Sequence, residues 1–475
     1  MPKMISERYK IRYPNPYNLH YSPKVKMLIN SDTIAAIATA PGKGGVGIIR
    51  ISGKDAYAIA HKITQTPLKA RHAHFLPFKN TNNETLDQGI ALYFKAPNSY
   101  TGEDVVELQA HGGPVVLNLI LQAVIEHGAR LAKPGEFTER AYLNDKIDLA
   151  QAEAIADMID ASSEQAAKSA MRSLQGDFSQ HIDTLVESLI HLRIHVEAAI
   201  DFPEEEIDFL ADEHIKTQLL HVQKNVDLVL HNSKQGALLR EGVEIVIAGK
   251  PNAGKSSLLN ALAGKESAIV TDIEGTTRDT LREYIQINGI PVHIIDTAGL
   301  RVSDDVIETE GVRRALEAIK KADHILLVAD INDTKDKKIT ELAPEFFTHI
   351  PSHIPITYIY NKVDLSNINS ENHDNHLYIS AKHDIGINKL RDYLLKAIGY
   401  EQTTEGVFTA RKRHINALTK AKNHLAMAFS HLTHKDGELL AEELNLAQKQ
   451  LSSITGEFSA DDLLGEIFSS FCIGK

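Results

Sequence analysis

The chain has one cysteine, Cys472, in 475 residues. An internal disulfide framework is therefore excluded, and the composition fits a reducing cytosol. No apolar run approaches the ~18 residues that a membrane-spanning helix needs. An excess of positive charge is also lacking: 51 Lys and Arg face 63 Asp and Glu, a net charge of −12. Any RNA partner must then be held by a local patch or by another subunit. Residues 1–26 are basic and rich in Tyr and Pro, but they lack the apolar segment of a secretory signal. Few Arg and Ser and two helix-breaking prolines argue against a mitochondrial transit helix. The segment reads as a flexible extension over 1–30, with Met27 as an alternative start. Apart from scattered chance pairs, the histidines, although numerous, form no metal-ligand spacing beside an obvious carboxylate, so metalloenzyme chemistry of the HHE type is not expected.

The length suggests roughly three domains. Over 31–145, the β-like runs TIAAIATA, GVGIIRIS, GIALYFKA and DVVELQAHGG surround one helical stretch, VVLNLILQAVIEHG, which predicts an α+β domain. Over 146–240 the text turns rich in Ala, Leu, Glu and Gln, with apolar residues at helical spacing. Leu185, Leu189, Leu192 and Val196 form one such stripe, and the DFPEEE turn around Pro203 breaks the pattern. Small residues in QAEAIADMIDASSEQAAKSAM predict tight helix packing. Over 241–402, the runs VEIVIAG, YIQINGIPVHIIDTAG, HILLVAD, ITYIYNKVD and HLYISA alternate with helices, an α/β pattern. Helical character returns over 403–475. The economical arrangement is one discontinuous helical domain with the α/β domain inserted in it, and insertion is tolerated where termini lie close together.

The inserted segment carries the chemistry. GKPNAGKS, Gly249 to Ser256, fits the phosphate loop G-x-x-x-x-G-K-[ST]. Its backbone N–H groups wrap phosphates, Lys255 reaches the β/γ oxygens, and Ser256 ligates Mg²⁺. NKVD, Asn361 to Asp364, selects the base, because a carboxylate accepts from both N–H groups on the guanine edge. In TDIEGTTRD, Thr277 is placed as a second Mg²⁺ ligand. Asp296 of DTAG sits by the Mg²⁺ shell, and the Gly299 N–H faces the γ-phosphate. The nucleotide contacts expected are Asn252, Ala253, Gly254, Lys255, Ser256 and Ser257, followed by Thr271, Asp272, Ile273, Glu274, Gly275, Thr276 and Thr277. Asp296, Thr297, Ala298 and Gly299 come next, then Asn361, Lys362, Val363 and Asp364. Ser380, Ala381 and Lys382 back the base.

Two positions depart from a generic GTPase. Leu300 stands where many carry a water-orienting glutamine, and a leucine cannot polarise water. Asp304, Asp305 and Glu308 are the acidic alternatives in the next loop, set against a reading as solvated loop carboxylates. Asn252 lies inside the phosphate loop. Its amide either serves loop hydrogen bonding or joins nearby carbonyls around a monovalent cation that supplies the charge of an arginine finger.

These motifs, with APGKGGVGIIRISG, PNSYTGEDVVELQAHGG, KPGEFTERAYLNDKIDLAQAEAI, DTAGLR and the terminal FCIGK, resemble the MnmE (TrmE) family of tRNA-modifying GTPases. The likeness runs from about Asp32 to Lys475. It implies an N-terminal α+β domain for dimerisation and folate binding, a discontinuous α-helical domain, and a Ras-like P-loop GTPase domain. It also implies a cytoplasmic homodimer that works with an FAD-dependent partner, MnmG (GidA), as a heterotetramer. That complex adds an aminomethyl or carboxymethylaminomethyl group to carbon 5 of the wobble uridine in certain tRNAs. The one-carbon donor is a 5-formyl- or methylene-tetrahydrofolate. By the same resemblance, K⁺ ligands are Asn252, Thr271, Ile273 and Thr276, the middle two through backbone carbonyls, and Glu308 orients the water. Arg50, Glu107, Lys146 and Lys475 fall at the folate positions, where a carboxylate suits a pterin edge and cations suit glutamate carboxylates. Cys472 is a candidate for the modification chemistry, against the plainer reading of a small hydrophobe. The alternative function is a regulatory GTPase switch of the ribosome-assembly type, disfavoured by the lack of a basic RNA-binding module. A transporter's cytosolic GTPase is disfavoured by the lack of membrane spans.

Overall fold

The computed structural model describes residues 32–201, 213–264, 282–296, 317, 319–334, 350–366, 375–401, 406–456 and 461–474. They divide into two compact units, one from 1–147 with 459–475 and the other from 148–458.

In the first unit the chain runs β1 (Ile34–Ile37), β2 (Gly44–Ser52), α1 (Ala56–Thr64), β3 (His74–Lys79), β4 (Thr85–Phe94) and β5 (Val105–Gly112). It continues as α2 (Pro114–Glu126), β6 (Arg130–Leu131) and α3 (Glu136–Leu143). The strands form one sheet in the order β3-β4-β5-β2-β1-β6. Alternate residues of β2 and β5, among them Ile49, Ile51, Val106 and Leu108, face a core shared with Ile59 and Ile63 of α1 and Ile120 and Val124 of α2. That is the period-2 pattern read from the sequence. Strand β3 was not among the expected runs. Its text, HFLPFK, contains Pro77, which lacks a ladder donor, and the strand accordingly lies at the sheet edge. The β2–β5 register sets Arg50 opposite Glu107.

The second unit opens on four helices: α4 (Leu149–Ile159), α5 (Glu164–Gln175), α6 (Asp177–Asp201) and α7 (Glu213–Glu241). Asp148 starts α4 with a reciprocal cap. Its carboxylate accepts from the Gln151 N–H at 2.8 Å, and the Gln151 side-chain carbonyl accepts from the Asp148 N–H at 3.0 Å. The expected turn around Pro203 lies outside the described residues. Leu185, Leu189, Leu192 and Val196 are all buried, as the helical stripe predicts, and pack with Leu219, Val222 and Val226 of α7.

The inserted part follows as β7 (Val243–Ala248), α8 (Lys255–Ala263), β8 (Arg282–Ile287), β9 (Ile290–Asp296) and β10 (His324–Asp330). It closes with β11 (Ile356–Asn361), β12 (His376–Tyr378) and α9 (Ile387–Ala397). Its sheet has the order β12-β11-β10-β7-β9-β8, parallel except for the β8–β9 hairpin. The continuous apolar runs IVIA of β7 and ILLV of β10 suit strands buried on both faces. In the hairpin, Asn288 and Gly289 both take positive φ, 51° and 82°, as a two-residue turn between twisted strands requires.

The helical part resumes with α10 (Lys412–His434) and α11 (Gly437–Thr455), whose Leu418, Leu425, Leu444 and Leu451 complete the core begun by α6 and α7. The expected second helical segment, 403–475, is divided, because α12 (Asp461–Ser469) and the tail group with the first unit.

Two carboxylates on α4 join the helical part to both ends of the insertion. Asp157 accepts from Arg240 at 2.7 Å, just before β7, and from Arg411 at 2.8 Å, just after the insertion. Glu153, 1% exposed, takes a bidentate pair from Arg413 at 2.8 and 2.7 Å. His414 Nε2 stands 2.7 Å from the same carboxylate. The Arg411 N–H donates to His414 Nδ1, so the neutral ring carries its proton on Nε2, facing Glu153. Burial pushes the Glu153 carboxyl up, but His414 and Arg413 outweigh it and hold the group well below the usual range. Burial holds His414 down. Removing one member of such a buried set typically costs about 3–5 kcal/mol.

His324 opens β10 at 1% exposure, its Nε2 2.7 Å from Thr357 Oγ1 of β11. Burial pulls its pKa from 6.5 to about 4. Between those values the unfolded chain binds a proton that the folded chain does not. Stability from this group is therefore full above pH 6.5 and declines as pH falls through the window, by about 3 kcal/mol. His324→Gln, which can still meet Thr357, should shrink the stability difference between pH 7 and pH 4.5 in urea melts. An unchanged difference would remove His324 as its origin.

Candidate nucleotide-binding site

Every phosphate- or base-facing motif in the described residues lies at one edge of the inserted sheet. Strand pairing aligns Ile247 with Asp296, Leu327 with Ala248, and Asp330 with Asn361, so the carboxyl ends of β7, β9, β10 and β11 finish together. In open α/β sheets ligands bind outside that edge.

The phosphate loop leaves β7 there and opens α8. Asn252 and Gly254 take left-handed φ, 61° and 94°. A Cβ at Gly254 would run into the side-chain amide nitrogen of Asn361, so only glycine lets the loop approach β11 so closely. Lys255 turns back into the loop, donating to the carbonyls of Gly249 at 2.9 Å and Lys250 at 3.1 Å. The loop is thus curved around a cationic head. Ser256 and Ser257 follow in the first turn of α8, where free N–H groups and the helix dipole favour anions.

Asn361 holds the site together. It is 2% exposed, donates to the Ala253 carbonyl at 2.9 Å, and accepts from the Ala381 N–H at 3.0 Å. One side chain therefore ties the phosphate loop, the end of β11 and the Ser380–Ala381–Lys382 turn. Asp364 accepts from Ser380 Oγ at 2.5 Å. That bond, with His383 and Lys382 nearby, holds its carboxyl below the usual range, leaving an ionised acceptor at neutral pH. Lys362, at φ 65°, pairs with Asp330 across β10 and β11 at 2.8 Å. The Val363 N–H donates to the Ile379 carbonyl, closing the two base loops on each other.

Asp330 and His383 were not anticipated. Asp330 ends the HILLVAD run, and its partner is identified only by the β10–β11 register. His383 stands 3.6 Å from Asp364 at the end of the Ser380 turn. Thr271, Asp272, Ile273, Glu274, Gly275, Thr276, Thr277, Thr297, Ala298, Gly299, Leu300, Asp304, Asp305 and Glu308 lie outside the described residues. Asp296 is described only as the last residue of β9. For Mg²⁺ and K⁺, the described candidates are Ser256, in the first turn of α8, and Asn252, on the inward-curving loop.

The first unit carries a separate polar cluster. Arg50 Nε donates to Glu107 at 2.9 Å, and its Nη1 donates to the Gly474 carbonyl at 3.3 Å. The guanidinium lies 5.4 Å from the Tyr100 ring and 5.7 Å from that of Phe137, two neighbours the sequence did not suggest. The Lys146 ammonium donates to the Pro97 carbonyl, on the loop that bears Tyr100. The tail is anchored: the Gly135 N–H donates to the Cys472 carbonyl at 3.4 Å, and a Cβ at Gly474 would run into the Ile37 carbonyl. Lys475 lies outside the described residues, and Cys472 is exposed. Cation, carboxylate and aromatic rings together suit a flat heterocycle bearing carboxylates.

Residues 149–472 match the MnmE helical domain, and residues 33–146 match the GTP-binding protein TrmE N-terminus. The tRNA modification GTPase MnmE of Francisella philomiragia is 58% identical over 451 residues, covering 94% of this chain and 100% of that protein. Its counterpart in Francisella tularensis is 59% identical with the same coverage. Among solved structures, a single-residue variant of Aquifex aeolicus Era bound to GDP.AlF4- is 23% identical, covers 39% of this chain and 67% of that chain, and has a TM-score of 0.27. With the phosphate loop, the base loops and both family domains in place, the chain belongs to the MnmE family.

Proposed function

We propose that this protein hydrolyses GTP and uses the resulting conformational change in tRNA modification. The observation that carries the reading is Asn361, which joins the phosphate loop to the base loops, with Asp364 held beside them by the Ser380 hydroxyl. Family membership supplies the tRNA context, since the relatives are named tRNA modification GTPases.

In this reading Lys255 leaves the loop carbonyls for the β/γ oxygens, while the α8 N-terminus and loop N–H groups receive the phosphates. Ser256 and Thr277 hold Mg²⁺, which neutralises phosphate charge when bound. Asn252, Thr271, Ile273 and Thr276 would hold K⁺, which would supply positive charge to the bound phosphates. Leu300 cannot position water, and Glu308 takes that role. Arg50, Glu107, Lys146 and Lys475 bind a tetrahydrofolate, which supplies the one-carbon unit. Cys472, on the tail whose Gly474 carbonyl meets Arg50, is the candidate for the modification chemistry. The N-terminal domain dimerises, an FAD-dependent partner joins to form a heterotetramer, and the target is carbon 5 of the wobble uridine. The cytoplasm is the compartment we assign.

Asp364→Asn should weaken GTP affinity about 10- to 100-fold, the cost of losing a charged acceptor for two N–H donors, measured by titration calorimetry. Unaltered affinity would contradict the base assignment. GTP turnover should be at least about tenfold faster in KCl than in NaCl of equal ionic strength, and equal rates would eliminate the cation role of Asn252. Nucleoside analysis of tRNA from a strain lacking this chain should show the loss of a 5-substituted wobble uridine; an unchanged profile would end the modification reading.

A further inference from the structure

The chain as a whole is acidic, yet residues 56–83 contain no Asp or Glu. Within them Lys62, Lys69, Arg71 and His72 are all exposed, around the end of α1 and the edge strand β3. Phe75 on β3 is 72% exposed, and beside it the His72 and His74 rings meet edge to face at 4.9 Å. An exposed ring among cations, on a sheet edge, is an unusual surface for an acidic protein.

The patch is fixed to the Arg50 cluster by one loop. The Arg71 N–H donates to the Tyr93 carbonyl at 2.8 Å, and its guanidinium donates to the Asn98 carbonyl at 2.7 Å. Lys95, exposed, lies on the same loop, as do Pro97, which accepts from Lys146, and Tyr100, which faces Arg50. Three acids border the patch, each accepting a hydrogen bond: Asp104 from the Ala96 N–H at 2.8 Å, Glu84 from the Asn80 side chain at 2.7 Å and Glu126 from the Thr81 hydroxyl at 3.2 Å. Asp87 is paired with His111.

We infer that the α1–β3 edge, with Lys62, Lys69, Arg71, Lys95 and Phe75, is an RNA-docking surface that holds the phosphates of a tRNA whose modified base enters at Arg50. Cations track the backbone, and the exposed ring offers a stacking platform for an unpaired base. Fixed positioning by the 95–100 loop keeps the phosphate contacts at a constant reach from the Arg50 cluster. The identity of the RNA rests on the function proposed above; the charge and exposure of the surface do not.

The test is binding of fluorescein-labelled, unfractionated tRNA to the full chain across a NaCl series. Wild type should bind with an affinity that falls with salt. K62E/K69E/K95E should bind at least about tenfold more weakly, with the log–log salt slope reduced by about 2, the value for three contacts to single-stranded RNA. F75A should lose about tenfold with the slope retained. K224E/K420E/K449E, the same charge change on exposed helical-part residues, should keep wild-type binding. The inference is overturned if wild type does not bind, if K62E/K69E/K95E binds like wild type, or if the control loses as much as the patch variant. Rescue of binding by K62R/K69R/K95R separates loss of charge from loss of fold. Should nucleoside analysis show no missing wobble modification while this patch-dependent binding persists, the proposed function fails and the docking surface stands.

Discussion

Two buried carboxylates on one short helix hold the inserted architecture. Glu153 and Asp157, one turn apart on α4, gather Arg240 from the outgoing segment of chain and Arg411, Arg413 and His414 from the returning one. An insertion is stable only where its two crossing points stay together, and here ion pairs and hydrogen bonds fix that spacing. Arg240 lies three residues before β7, so its position also sets where the sheet begins.

Within the inserted part, a single neutral amide has a comparable role. The parallel sheet delivers four strand ends to one edge, but strands alone leave the following loops free to differ. Asn361 removes that freedom by satisfying both its donor and its acceptor inside the protein. Gly254 permits the approach, since any side chain there would displace the amide. The phosphate loop and the base loops are therefore joined through one buried side chain, and Ser380 donates to Asp364 beside it.

The first unit solves a different problem. Its cluster stands on sheet register: Arg50 and Glu107 face each other because β2 and β5 pair as they do. The tail then closes on that pair through the Gly474 carbonyl. Loop 95–100 joins this cluster to the basic edge of β3, so the polar cluster and a charged rim share one support.

Much of this was legible in the text of the chain. Hydrophobic period separated the α+β, helical and α/β segments, because core faces must repeat every two residues in strands and about every 3.6 in helices. GKPNAGKS and NKVD declared the nucleotide, because local backbone geometry and side-chain chemistry are encoded within a few residues. Arg50 and Glu107 were named by resemblance, but their pairing was not, nor was the packing of Tyr100 and Phe137 around Arg50. Strand β3 escaped because Pro77 contradicts an interior strand and only an edge position accommodates it. The grouping of 461–474 with the first unit, and the gathering of Arg240, Arg411 and Arg413 on α4, join residues far apart in the chain. What short-range sterics and periodicity settle, the residues alone determined. Register, ion pairing and burial between distant segments were decided only when the chain packed, because those free energies depend on neighbours that no local pattern names.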